Sequence, residues 1–263
     1  MQIDVRSATV HQGGRIILDA VSCHLAPGEM VGLVGPNGAG KSTFLRALTG
    51  LQPLSGGEVL YDGAPARDLG RPRLARRLAH LAQNGDADWP LAVEAIVALG
   101  RSPHRRAWAG VTSEDRDAVE RAMRAADVVH LRSRPITTLS GGERARVLLA
   151  RALAVEAEIL LADEPFAALD PLHQLQAAEI LRDVRRRGAG VLAVMHDLTL
   201  AARFCDRILA MSAGRIVADG PPDALTPELL AQIYGVVALR GAHEGEPFLL
   251  PWRPLTGTNA RKP

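Results

Sequence analysis

A lysine and two hydroxyls at the end of a glycine-rich run are the first residues whose spacing could do chemistry. Gly35, Pro36, Asn37, Gly38, Ala39, Gly40, Lys41 and Ser42 fit the pattern GxxxxGK[ST], with Thr43 following. Met30-Val-Gly-Leu-Val34 precedes the run as a short apolar strand, and a helix is expected over Ser42–Thr49. Strand, loop and helix in that order are the context this pattern needs to cradle phosphates. The glycines let backbone N–H groups wrap an anion, and the helix N-terminus adds favourable dipole charge. Lys41 would reach the outer phosphates of a nucleotide, and Ser42 would ligate its Mg²⁺. A second pattern is the apolar strand Ile159-Leu-Leu-Ala162 ending in Asp163-Glu164. Two acids there can complete a Mg²⁺ shell and polarise an attacking water. The third is Leu139-Ser-Gly-Gly-Glu143, opening a helix rich in Ala, Leu and Arg. Ser140 caps it, and Gly141 and Gly142 leave its first N–H groups open, which makes a second anion site. Taken singly, these patterns could be a glycine turn, a helix-capping acid and a plain serine cap; together they select phosphate chemistry.

The elements that must position these residues can be read along the chain. The first 30 residues alternate apolar and polar positions, with Gln12-Gly-Gly14 and Ala26-Pro-Gly28 as breaks, and predict antiparallel strands. Strands are expected at Glu58–Tyr61 and at Leu78–Ala82, the latter ending at Gln83. From about Asn84 to Arg151 the pattern turns helical: Val93, Ile96, Val97 and Leu99 recur at helix spacing, as do Val119, Ala122, Met123 and Ala126. Alternation then resumes, with a helix over His173–Arg187, a strand over Gly190–Met195 ending at His196, a short helix around Ala201, and strands at Arg207–Ala210 and Arg215–Ala218. Thr256–Pro263 reads as a loose tail.

Composition narrows the class. The 263 residues suffice for one large α/β domain, and 47% hydrophobic content is ordinary for a folded protein. A net charge of +2 gives no argument for nucleic acid. No apolar run approaches the roughly 20 residues that span a bilayer, and the first residues lack the apolar stretch of a signal peptide. A cytosolic protein is therefore expected, unless a partner holds it at a membrane. Cys23 and Cys205 stand far apart, outside any metal-ligand pattern, and read as free thiols.

With GxxxxGK[ST], LSGGE and Asp163-Glu164-Pro165 in this order, the sequence resembles the ATP-binding subunits of ABC transporters over about residues 3–240. LSGGE is highly specific to that superfamily. The resemblance implies an α/β fold: a P-loop NTPase (ABC-type ATPase) core with a mostly parallel sheet, an N-terminal antiparallel β subdomain and an inserted helical subdomain. The nucleotide-binding domain would span residues 1–240, with the helical insertion at about 84–151. Residues 241–263 would form a C-terminal extension, partly a loose tail. ATP and Mg²⁺ are implied, with hydrolysis by in-line attack of water. Ser42, Gln83 and Asp163 would organise Mg²⁺, Glu164 would polarise water, and His196 would steady the γ-phosphate. Two copies would close head-to-tail, so that Ser140, Gly141 and Gly142 of one complete the site on the other. Ala167-Ala-Leu-Asp170 matches the family's D-loop, with Ala167 in place of the usual serine. The family's adenine-stacking aromatic is replaced: Gln12 holds its position with His11 before it, and His11 could stack in its stead, less favourably than tyrosine.

The segment Trp89–His104 is similar to the one that follows the Q-loop in ATPases importing haem, iron-siderophores or vitamin B12, and Gly245–Pro251 is similar to the haem-import members in particular. The first would face a transmembrane subunit; alternatively it serves only the core, with Arg101, His104, Arg105 and Arg106 as a solvated charge cluster. The resemblance implies a homodimer of ATPase subunits, two transmembrane permease subunits, an indirect link to a periplasmic substrate-binding protein, no nucleic acid, and a peripheral location on the cytoplasmic face of the inner membrane. A soluble ABC ATPase of DNA repair or translation would usually carry tandem cassettes, coiled coils or zinc modules, which this sequence lacks. A simple P-loop kinase would lack LSGGE and the histidine.

Overall fold

The computed structural model describes residues 1–83, 90–105 and 110–255. In chain order its strands are β1 Ile3–Gln12, β2 Arg15–Leu25, β3 Met30–Val34, β4 Gly56–Tyr61, β5 Ala64–Pro65, β6 Leu78–Leu81, β7 Ile159–Ala162, β8 Gly190–Val194, β9 Arg207–Ser212, β10 Arg215–Gly220, β11 Val236–His243 and β12 Glu246–Pro254. Its α-helices are α1 Lys41–Leu48, α2 Ala66–Leu69, α3 Arg71–Arg77, α4 Val93–Ala98, α5 Ser113–Ala125, α6 Gly141–Leu153, α7 Pro171–Arg186, α8 Leu198–Phe204 and α9 Pro227–Tyr234. Among the described residues no helix is long and apolar enough to cross a membrane. Two compact units result. One comprises Met1–Asp4, His24–Glu29 and Val59–Ala193; the other comprises Val5–Cys23, Met30–Glu58 and Val194–Pro263.

In the first unit β6, β7 and β8 lie parallel, with Leu81 beside Ala162 and Leu161 beside Leu192. Every residue of β7 and β8 is buried. Continuous apolar runs such as Ile159-Leu-Leu-Ala162 are what a parallel strand covered on both faces requires, and each fully buried Leu or Ile contributes about 1.5–3 kcal/mol. The helices α4, α5 and α6 share this unit. Thr112 and Asp115 cap α5 reciprocally, and its Ala118, Val119, Ala122 and Met123 are buried.

Arg101 departs from the alternative reading of a solvated charge cluster. It is buried, its Nε donates to Asp115 Oδ1 at 3.0 Å, and its Nη1 donates to the Ala154 carbonyl at 2.9 Å and to Glu156 at 3.2 Å. His104 is half-buried with Nε2 2.8 Å from the Val155 carbonyl. The guanidinium thus joins the turn after α4 to the start of α5 and to the end of α6, because a buried cation persists only where carboxylates and carbonyls meet its donors. Trp89, Arg106 and the expected tail Thr256–Pro263 lie outside the described residues.

In the second unit β1 and β2 are neighbours joined at Gly13-Gly14, where both residues have positive φ. The parallel pair β3 and β9 brings Val34 beside Ala210, and β10 returns antiparallel to β9. At the C-terminal end, α9 is followed by a hairpin of β11 and β12, turned at Glu244-Gly245 with φ of 52° and 83°, the left-handed pair of a type I′ turn. The boundary drawn at residue 240 falls inside β11.

Candidate functional site

In the second unit β3 delivers the chain into the loop Gly35–Gly40 and then α1. The loop must be glycine for local reasons. At Gly35 (φ 150°) a Cβ would stand 2.1 Å from the Met211 carbonyl oxygen at the end of β9, and at Gly40 (φ 101°) 2.8 Å from the Ile17 carbonyl oxygen. Gly40 stands before α1 in the left-handed conformation and gives it no side-chain cap, so the first N–H groups of the helix are not taken by a capping oxygen. Lys41 is 6% exposed, and its Nζ donates to the carbonyls of Gly35 at 2.7 Å and Pro36 at 2.9 Å. Ser42 and Thr43 follow, half-buried, in the first turn; Asn37 and Gly38 are exposed at the loop tip, and Ala39 is buried beneath it. His196 is exposed one residue beyond Met195, whose N–H donates to Leu33 on β3 at 3.0 Å. Asp197 then caps α8, accepting from Leu200 N at 2.9 Å. The structure therefore carries His196 to the same strand ending as the glycine loop.

His11 is exposed near the end of β1, with its N–H on Ser55 Oγ at 3.0 Å, and Gln12 is exposed beside it. Met211 bears on the loop without any sequence signal, because a carbonyl's approach depends on tertiary packing rather than on side-chain type.

In the first unit β7 ends in Asp163, which is 4% exposed and whose N–H donates to Leu81 at 2.8 Å. Glu164 follows with φ 53°, a conformation costing a non-glycine residue roughly 1–3 kcal/mol and one that recurs at functional sites. Gln83 stands two residues past β6, and its Nε2 donates to Glu164 Oε2 at 2.5 Å. Register explains the meeting: with Leu81 beside Ala162, the residues just beyond the two strands must emerge side by side.

The tip of α6 lies in the same unit. Ser140 Oγ accepts from Glu143 N at 3.2 Å, and Glu143 Oε2 accepts from Ser140 N at 2.8 Å. The Ser140 amide holds the Glu143 carboxyl below the usual carboxylate range. This capping box occupies the N–H groups of Ser140 and Glu143 but not those of Gly141 and Gly142, which have no intrahelical acceptor. A Cβ at Gly141 or Gly142 would meet only ordinary contacts from Ala168 and Leu169, at 3.5 Å or more. Those neighbours belong to Ala167–Asp170, whose Asp170 caps α7.

A glycine loop feeding a helix, an apolar strand ending in two acids, and parallel strands that end in an amide and a histidine define a P-loop ATPase. The family model described as ABC transporter matches residues 18–167. The chain is 46% identical to the Hemin import ATP-binding protein HmuV of Streptomyces coelicolor over 228 residues, 86% of this chain and 80% of that one. It is 42% identical to the protein of the same name in Pseudomonas aeruginosa, over 94% of this chain and 98% of that one. A solved dimeric ATP-binding cassette, MJ0796, bound to ADP and Pi superimposes with a TM-score of 0.74 at 28% identity, over 84% of this chain and 98% of that one. The chain belongs to the ABC transporter family: it binds ATP and hydrolyses it to drive transport.

Proposed function

We propose that this ATPase energises import of haem across the inner membrane, with iron-siderophore complexes and cobalamin as the related cargoes of its group. What supports the cargo is the name shared by relatives 46% and 42% identical over most of both chains. Two copies would join two transmembrane permease subunits at the cytoplasmic face, served by a periplasmic substrate-binding protein.

The mechanism follows from residue types and their setting. The loop amides of Gly35–Gly40 and the N–H groups at the start of α1, from Lys41 to Thr43, receive phosphate oxygens. Lys41 turns its ammonium from loop carbonyls to the β- and γ-phosphates. Ser42, Gln83 and Asp163 offer a hydroxyl, an amide and a carboxylate oxygen, the hard donors that Mg²⁺ takes. Bound with ATP, Mg²⁺ would neutralise charge on the phosphate oxygens. Glu164 orients water and accepts its proton, His196 donates to the γ-phosphate, and His11 stacks on adenine.

The observation that carries the two-copy arrangement is the tip of α6. Gly141 and Gly142 keep open donors although their own chain would tolerate a side chain at either position. Open N–H groups and missing side chains suit an anion brought by another molecule, namely the triphosphate on a second copy. Gel filtration of Glu164→Gln with ATP should yield a dimer; monomer alone would overturn the arrangement. For cargo, proteoliposomes holding the permease and this ATPase should accumulate haem on addition of ATP. Accumulation of cobalamin or a ferric siderophore instead would overturn the assignment to haem.

A further inference from the structure

The segment after Thr226 has no part in the roles above, yet it is fastened to the phosphate-binding half-site at two places. Helix α9 is capped by Thr226, begins at Pro227 and ends at Tyr234. The Tyr234 hydroxyl is buried against the backbone of Gly35, and among the described residues none gives it a hydrogen bond of ordinary geometry. Burial pushes its pKa up to about 12, so it stays a neutral phenol. Gly35 has no room to give, since the Met211 carbonyl would lie 2.1 Å from any Cβ there. The Gly35 carbonyl in turn accepts from Lys41 Nζ at 2.7 Å. The second fastening is on α8. Thr199 Oγ1 donates to the carbonyl of Leu249 at 2.9 Å and accepts from its N–H at 3.0 Å, so that one hydroxyl serves β12 as a ladder partner would. Arg203 pairs with Glu246 at 3.2 Å along the same face. Helix α8 has seven residues, too few to hold a position by its own propensity, and Thr199 stands three residues after His196.

We propose that this C-terminal segment positions the two γ-phosphate contacts: Tyr234 sets Lys41 through the Gly35 peptide, and the Thr199–Leu249 clasp sets His196 through the start of α8. The proposal rests on the phosphate roles given to Lys41 and His196 above. Both are positioning effects, because Thr199 acts through Leu249 and Tyr234 through the Gly35 backbone.

The test uses full-length Tyr234→Phe, Thr199→Val and Thr199→Ser, with Lys41→Ala as control. Dissociation constants for fluorescent ATP and ADP analogues are measured with kcat, KM and Tm. Tyr234→Phe should weaken both nucleotides about twofold, the low end of what a polar contact contributes, with kcat and Tm little changed. Thr199→Val should lower kcat about threefold to tenfold, the worth of one hydrogen bond, and leave the ADP constant alone, and Thr199→Ser should restore kcat. A variant at parental values overturns its half of the proposal. Losses that track a fall in Tm and are not rescued by Thr199→Ser mark a merely structural role and overturn it too. If Lys41→Ala loses ATP while Tyr234→Phe and Thr199→Val behave as the parent, positioning fails and the phosphate reading stands. If Lys41→Ala binds ATP as the parent does, both fall.

Discussion

Gln83 Nε2 donates to Glu164 Oε2 at 2.5 Å, joining the residue that follows β6 to the carboxylate that follows β7. The amide assigned to the metal and the carboxylate assigned to water are thus one hydrogen-bonded pair within a single unit of the chain. Both the Glu164 backbone, at φ 53°, and the Gln83 amide bear on where this carboxylate points.

Removing the amide should loosen the carboxylate without touching the phosphate loop. Gln83→Ala is expected to lower kcat about tenfold, in line with a hydrogen bond to a charged group, and to weaken binding of Mg²⁺–ATP but not of metal-free ATP. Glu164→Gln should cost about 10²–10⁴-fold in turnover, as loss of a general base does. Steady-state phosphate release and a binding titration separate the two. Equal kcat for Gln83→Ala and the parent would show that the pair has no catalytic consequence.

Gly142 separates folding from assembly. Its added Cβ would meet the Ala168 carbonyl oxygen at 3.5 Å, an ordinary contact. Gly142→Ala should therefore keep the parental Tm while losing ATP-driven dimerisation in the Glu164→Gln background. Sedimentation with ATP reads the outcome, and a dimer of unchanged stability would remove the role given to the α6 tip.

Arg101 makes the opposite case, a charge whose work is internal. Its side chain is 4% exposed and that of Asp115 8%. Arg101→Met strands a buried carboxylate and should cost about 3–5 kcal/mol. Arg101→Met/Asp115→Asn, which retains a capping side chain without the charge, should recover part of that loss. Thermal unfolding measures both; a single variant as stable as the parent would refute the internal role.

Acid should weaken the first unit through Glu158. Arg77, with Nε 2.5 Å from Oε1, holds the Glu158 carboxyl down at about 2 from an ordinary 4.5. The folded value lies below the unfolded one, so the stabilisation is complete above pH 4.5 and is lost as pH falls toward 2. Asp62, lowered first by the Gln2 amide and also by Arg77, works in the same direction. The Glu158 side chain is 45% exposed, and solvent screening keeps its share below about 1 kcal/mol. Tm of the parent should drop across this window, and Glu158→Gln should flatten the slope; identical slopes would refute the assignment.

Much of the fold is legible in the residues. Ile159–Ala162 and Arg207 onward begin where apolar runs begin, and the glycine loop and Ser140 cap carry their own geometry. Helix α1 starts at Lys41, one residue before the expected start, because glycine at Gly40 allows the left-handed entry. The C-terminal region carries weaker signals: Thr226-Pro227 marks a helix start, Gly235 (φ 67°) its end, and Glu244-Gly245 a hairpin turn. The burial of Arg101 carries no local signal, since it depends on Asp115 and Glu156, 14 and 55 residues away. The Gln83–Glu164 bond likewise needs the register of two strands 81 residues apart.

Lys41 shows how such an enzyme can let go of what it has consumed. Its ammonium is buried with two carbonyl acceptors from its own loop, Gly35 and Pro36. Nucleotide entry is then an exchange of partners for a charge already compensated, so the net gain is the difference between phosphate and carbonyl rather than the whole attraction. Modest net affinity for the spent nucleotide is what repeated turnover demands.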